Sequence, residues 1–295
     1  MTALSALIRR DIKLFFKDKG LFFTSLITPL ILLVLYSTFL GKVYRQSFIS
    51  SISGVQLPEA LINGAVAGQL ISSLLAVCCI TVAFCANMLM VQDKMNGARR
   101  DLTIAPVRSS QLALAYFAAD FAVTFIICIA ALAAGLCYTA FCGWYLTPGH
   151  VLALIGDVFL ITLMGAALSS VVNSFLSTQG QSSAVGTIVS SGYGFICGAY
   201  MPVSQFGKGL RGLISLLPGT YGTGLLRNHA MNGALENFAG YGVSGEAMTA
   251  LRDALDLNLY FFGKSVSTGA MYAVLTVSIA LLILAYVLIC RLRRD

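Results

Sequence analysis

Of 295 residues, 58 % are hydrophobic and only 11 % charged, with a formal net charge of +7 and a mean hydropathy of +0.85. A soluble domain carries roughly 45–50 % apolar and about 25 % charged residues, so an ordinary soluble enzyme, a disordered chain and a secreted disulfide scaffold are excluded. The composition predicts an all-α polytopic membrane protein, in which helices satisfy every backbone group inside lipid.

Residues 1–20 come first. Leu4, Leu7, Ile8, Ile12, Phe15 and Phe16 share one helical face, and Arg9, Arg10, Lys13 and Lys17 the other. This predicts an interfacial helix with its cations near anionic headgroups. A span needs about 20 mostly apolar residues. Six stretches qualify: 21–40, 63–91, 110–141, 150–173, 181–201 and 267–290. The first is too long for a signal-peptide core and lacks a small-residue cleavage site. The apolar stretch 209–226 is broken by Arg211, Gly212, Pro218, Gly219, Gly222 and Gly224. It predicts short re-entrant helices, within 202–227, that dip in from the outer side. An amphipathic stretch follows at about 245–257, with Met248, Leu251 and Leu255 opposite Arg252, Asp253 and Asp256.

Twelve of the 19 basic residues fall in three short segments, at 9–19, 94–108 and 291–294. The positive-inside rule puts those segments, and both termini, in the cytoplasm. The basic excess is therefore a topology signal, and no nucleic-acid partner is expected. The chain reads as one multi-pass membrane domain.

Catalytic chemistry is absent. Cys78, Cys79, Cys85, Cys128 and Cys290 sit in apolar runs as small hydrophobes, while Cys137, Cys142 and Cys197 near outer span ends leave one disulfide open. No His/Cys spacing suggests a metal. Asp120 and Asp157 are the in-span acids, nearer opposite faces; each is a functional candidate by default, with a bond to a neighbouring helix as the plainer reading. His150 and His229 are expected at element ends near the outer face. Gly263-Lys264-Ser265 copies the end of a phosphate loop, but Asn258 stands where its first glycine belongs and no buried strand precedes it.

Small residues mark special faces. Ser182, Gly186, Ser190, Gly194 and Gly198 recur at every fourth position of the fifth span. Such a stripe admits another backbone, within the subunit, at a subunit interface or along a pathway wall. Gly64 and Gly68 repeat the pattern in the second span, with Asn87 a candidate pathway residue beside Asp120. Between spans two and three, residues 92–107 run charged, then apolar at Leu102 and Ile104, then stop at Pro106. That predicts a helix of about two turns, either a solvated turn or a docking helix.

These motifs resemble the membrane subunit of bacterial ABC type-2 exporters. That family's loop after the second span reads roughly Arg-Glu-x-Gly-Thr-Leu-Glu-x-Leu-x-x-Thr-Pro-Val. Gly97, Leu102 and Pro106-Val107 keep its spacing, with Ala98 in place of threonine, Arg100 in place of an acid, and Asp93 and Asp101 as displaced carboxylates. The family's second motif is matched by Gly198-Ala199-Tyr200-Met201-Pro202, then Pro218-Gly219-Thr220-Tyr221, then Leu226-Arg227. The resemblance covers essentially the whole chain.

The resemblance implies two permeases, identical or different, over two separate ATPase subunits that bind the ATP and Mg; this chain holds no cofactor. It implies a coupling helix at Asp93, Gly97, Arg100, Asp101, Leu102 and Pro106, with a smaller contact at 173–180. It implies that spans one, two and five line the route, and that Pro202, Pro218, Thr220, Tyr221 and Arg227 shape an outer cap. Few in-span charges favour a hydrophobic or amphipathic cargo. Polysaccharide or ion export, a secondary transporter, and a signalling or assembly subunit stay open as alternatives.

Overall fold

With no water in a bilayer core to take backbone hydrogen bonds, this chain must fold as helices, and almost all of it does. The computed structural model describes residues 3–51, 57–104 and 107–292. Helix α1 (Ala3–Lys17) turns at Asp18 into α2 (Lys19–Leu35), where the Asp18 carboxylate caps the Leu21 amide. A π-turn, Tyr36–Leu40, leads directly into α3 (Gly41–Ser51). Next come α4 (Glu59–Ala86), α5 (Met88–Met95), α6 (Ala98–Ile104), α7 (Ser109–Cys142) and α8 (Pro148–Ser174). After α9 (Gln179–Ile196) a 3-10 turn precedes α10 (Lys208–Ile214), α11 (Pro218–Ala239) and α12 (Gly245–Ala254). A hairpin of two-residue strands, β1 (Tyr260–Phe261) and β2 (Lys264–Ser265), hands the chain to α13 (Thr268–Leu292). That hairpin is a small exception to the all-α expectation, and the phosphate-loop look-alike lies in it.

Helix α4 is the mast of the bundle. It packs against α2, α7, α8, α9 and α11, and nearly every residue from Leu61 to Ala86 is buried. Its small residues make this possible. A Cβ at Gly68 would fall 2.5 Å from the Ala230 carbonyl oxygen of α11, and one at Gly64 would fall 2.7 Å from the Gly143 oxygen. Gly165 of α8 meets the Cys79 oxygen at 2.5 Å in the same way. Backbones in contact replace the hydrophobic effect, which drives nothing between helices in lipid. Helix α13 closes the bundle against α8 and α11, and α1 lies on α7.

Five helical stretches are long and apolar enough to cross a membrane: Lys19–Gln46, Glu59–Met95, Ser109–Cys142, Pro148–Ser174 and Thr268–Leu292. The expected fifth of six spans, 181–201, differs. It is helical as α9, but Ser, Thr and Gln side chains dilute its apolar content, and it ends at Ile196. Gly198, at φ +77°, turns the chain there, with the Ala199 and Tyr200 amides donating back to the Gly194 carbonyl. The broken segment also differs from short dipping helices. Only α10 is short; α11 runs 22 residues, with Pro218 at its first position, where a missing amide costs nothing. All eight cysteines are free thiols.

Candidate functional site

The segment between α4 and α7 is built by two breaks. Asn87 interrupts the long helix between α4 and α5, and Gly97, at φ +77°, turns α5 into α6. The left-handed backbone at Gly97 suits a residue without Cβ. The expected docking residues part company here. Asp93 faces inward: Arg10 donates to both its oxygens at 2.7 and 3.0 Å, and the Tyr116 hydroxyl donates at 2.7 Å. Leu102 is half-buried against the cluster of Leu7, Met90, Leu112 and Tyr116. Arg100 and Asp101 are exposed, and Ile104, outside the expected docking set, is 78 % exposed. Pro106 lies outside the described residues. Arg10, expected among the headgroup-facing cations, instead ties α1 to α5.

Beside it, Asp11 is 2 % exposed. Burial pushes its carboxyl up from 3.8 to about 6, with Arg10 at 2.8 Å pulling the other way. The folded state thus keeps a proton that the unfolded chain has lost, across roughly pH 4 to 6. Stability therefore falls as pH rises through that window, and the cost is fully present above it. Asp11→Asn should stabilise the fold near neutral pH by on the order of 1–3 kcal/mol, seen as a higher thermal midpoint, and flatten the slope below pH 6. A pH–stability profile unchanged from wild type would sink this assignment.

Deeper in, Asn87 and Asp120 share one network. The Asn87 amide donates to the Ser169 and Ser170 hydroxyls at 3.0 and 2.9 Å. The Ser169 and Thr124 hydroxyls donate to the two Asp120 oxygens at 2.7 and 3.2 Å. Both residues are buried. The network joins the helix break at Asn87 to α7 and α8.

At the other end of the bundle, the segment after α9 is organised around a buried ion pair. Arg227 of α11 is 1 % exposed. Its guanidinium donates to the Gly198 and Leu255 carbonyls at 2.7 and 3.1 Å, and Nη1 lies 3.4 Å from Asp256 Oδ2. Asp256 in turn accepts from the Val203 and Ser204 amides. Thr220 Oγ1 donates to the Ile214 carbonyl at 2.9 Å, and Tyr221 to the Ser215 carbonyl at 2.6 Å. Pro202 starts the 3-10 turn. Arg227 and the turn that follows Pro202 therefore meet at Asp256, the unforeseen member, while Thr220 and Tyr221 tie the start of α11, opened by Pro218, to the end of α10.

The bundle thus carries a break-and-turn segment at one end and, at the other, a hairpin beyond α9 tied at Asp256. The family model of the ABC-2 type transporter matches residues 2–230. The chain belongs to the ABC-2 type transporter family. It is a membrane permease subunit of such a transporter, and the family implies an ABC ATPase as its partner. None of the curated proteins compared with it matches.

The permease's small-residue stripe divides. Ser182 and Gly194 are buried, and Gly194 is covered by the ring of Tyr200. A Cβ at Gly186 would meet nothing within 4 Å, and Ser190 is half-buried. Gly198 belongs to the turn, not to the helix face. Close packing within the subunit therefore does not explain the middle of the stripe. The permease also holds a triad that the sequence did not suggest. Asp157 of α8 is fully buried and lies 2.6 Å from His229 Nδ1 of α11, and Tyr272 of α13 donates to it at 2.6 Å. His229 is thus mid-helix, not at an element end. Asp157 stands twelve residues before Ser169, the partner of Asp120, on the same helix, or about 18 Å away. The two acids form no pair.

Proposed function

We propose that this permease is the membrane half of an ATP-driven exporter, and that α6 receives the stroke of a separate ATPase subunit. The observation that carries the reading is the seven-residue helix set off by Gly97, with Arg100, Asp101 and Ile104 turned outward. Its root, Asp93, is bolted to α1 and α7, so a push on α6 would reach the bundle through short hydrogen bonds instead of a slack loop. ATP and Mg belong to the partner chain. The clustering of basic residues beside α1, α6 and the end of α13 supports cytoplasmic termini in a bacterial inner membrane.

A second permease, identical or related, completes the complex. The uncovered middle of the stripe at Gly186 and the exposed Ile188 and Leu213 support an interface or pathway wall along α9 and α10. The 202–227 segment, held by Arg227, caps the route on the outer side. A hydrophobic or amphipathic cargo fits the scarcity of in-span charge. The test is efflux of a hydrophobic dye from proteoliposomes holding the permease, its ATPase partner and ATP. Dye movement driven by a proton or sodium gradient in the absence of the ATPase would overturn the reading in favour of a secondary transporter.

A further inference from the structure

We propose that the cleft between the α6-side ends of α7 and α13 is a binding site for one anionic phospholipid. The two helices touch little there. The Tyr286 hydroxyl of α13 props them apart, donating to the Ala113 carbonyl of α7 at 3.2 Å. Cavities of about 740 Å³ open on each side of this strut and share Ser109, Ala113, Tyr286 and Cys290.

The walls sort by depth. Arg99 lines the cavity on one side of the strut; at the mouth of the other stand Arg108 and Arg291, with Ser109 and Ser110 opening the N-terminus of α7. Below them the lining is apolar: Ala113, Phe117, Ile283 and Val287. Among the described residues no acidic side chain lines either cavity, so Arg99, Arg108 and Arg291 present their charge to an anion. From Arg108 to Phe117, and from Arg291 to Ile283, the helices descend eight or nine residues, or about 12–14 Å. That is close to half of a bilayer's hydrocarbon thickness of about 30 Å. A polar mouth that selects a phosphate and an apolar shaft one leaflet deep together match a phospholipid. A free phosphate would leave the shaft empty, and an acidic peptide could not enter it. Basic pockets between helices at a membrane face are known to hold lipid headgroups in this way, and the amides at the start of α7 favour a phosphate further.

The test uses the full-length permease in neutral detergent, with phosphatidylglycerol and phosphatidylcholine of identical acyl chains as probes. Lipid retention is read by native mass spectrometry, and affinity by the thermal midpoint during titration. Wild type should retain one phosphatidylglycerol in preference to phosphatidylcholine. Arg99→Ala, Arg108→Ala and Arg291→Ala should each weaken that preference about fivefold. Ala113→Trp, which fills the shaft, should abolish retention of both lipids. A control lacking two exposed cations of α1, Arg9→Ala with Lys13→Ala, should bind as wild type does. Equal retention of both lipids by wild type would overturn the proposal. So would undiminished preference in the triple arginine variant, or an equal loss in the control, which would reduce the effect to general basic charge.

Discussion

Replacing Arg227 with methionine will unfold the hairpin beyond α9 well before the rest of the permease. Methionine keeps the stem's volume but leaves Asp256, 3 % exposed, without its cation. Removing one partner of a buried pair costs about 3–5 kcal/mol, because the other charge stays uncompensated. It also strands the Gly198 and Leu255 carbonyls that the guanidinium now satisfies. Thermal unfolding should show a lowered midpoint, and limited proteolysis should open the chain first between 197 and 217. Arg227→Met with Asp256→Asn should recover part of the loss, since no buried charge remains. A single variant as stable as wild type would mean that the pair holds nothing together.

Ile104→Asp should abolish ATP-driven transport while leaving the permease folded. The side chain is 78 % exposed, so its burial stabilises nothing in the isolated chain. An apolar anchor at the centre of a docking site is commonly worth about 2 kcal/mol or more, or roughly thirtyfold in ATPase affinity. Leu102→Asp, two residues earlier, should behave in the opposite order. It places a charge against Leu7, Met90 and Tyr116 and should lower stability whether or not the ATPase is present. Midpoint measurements and ATPase pull-down on the two variants separate the roles. Normal ATPase retention by Ile104→Asp would remove α6 from the interface.

The contrast between those two residues shows where the sequence was readable. The spans from 110, 150 and 267 emerged within two residues of α7, α8 and α13, because an apolar run long enough to cross lipid has few other fates. Gly97 was legible as a member of the family motif, but the left-handed turn it makes between α5 and α6 was not. Nor was the outward face of α6, because its rotation is set by packing of Leu102 on Leu7, far away in the chain, and on Met90 and Leu112 of the flanking helices. The same holds for charge. Arg10 obeys the amphipathic pattern of α1 and yet turns inward, because Asp93 offers it two oxygens. Asp157 and His229 are 72 residues apart, and neither carries a local signal of the other. The stripe of α9 was legible as a pattern, but periodicity alone could not tell that Gly198 ends the helix instead of extending its face.

The enclosure of α4 has a consequence for how the permease is made. A helix surrounded by α7, α8, α9 and α11 is synthesised before any of them. At about 5–20 residues per second, it leaves the ribosome many seconds ahead of α11. During that interval Gln69, Ser72, Ser73 and Thr81, all buried in the finished bundle, face lipid or whatever escorts the nascent chain. Of its neighbours only α2 and α3 are already present, and the Tyr36 hydroxyl, set inward at the π-turn, reaches Ser73 at 2.9 Å. The contacts of α4 with α2 and α3 are therefore the first that α4 itself can make in the membrane. Loss of Tyr36 should appear in living cells as slower maturation and faster degradation of newly made permease, with little change in the stability of the molecules that complete assembly.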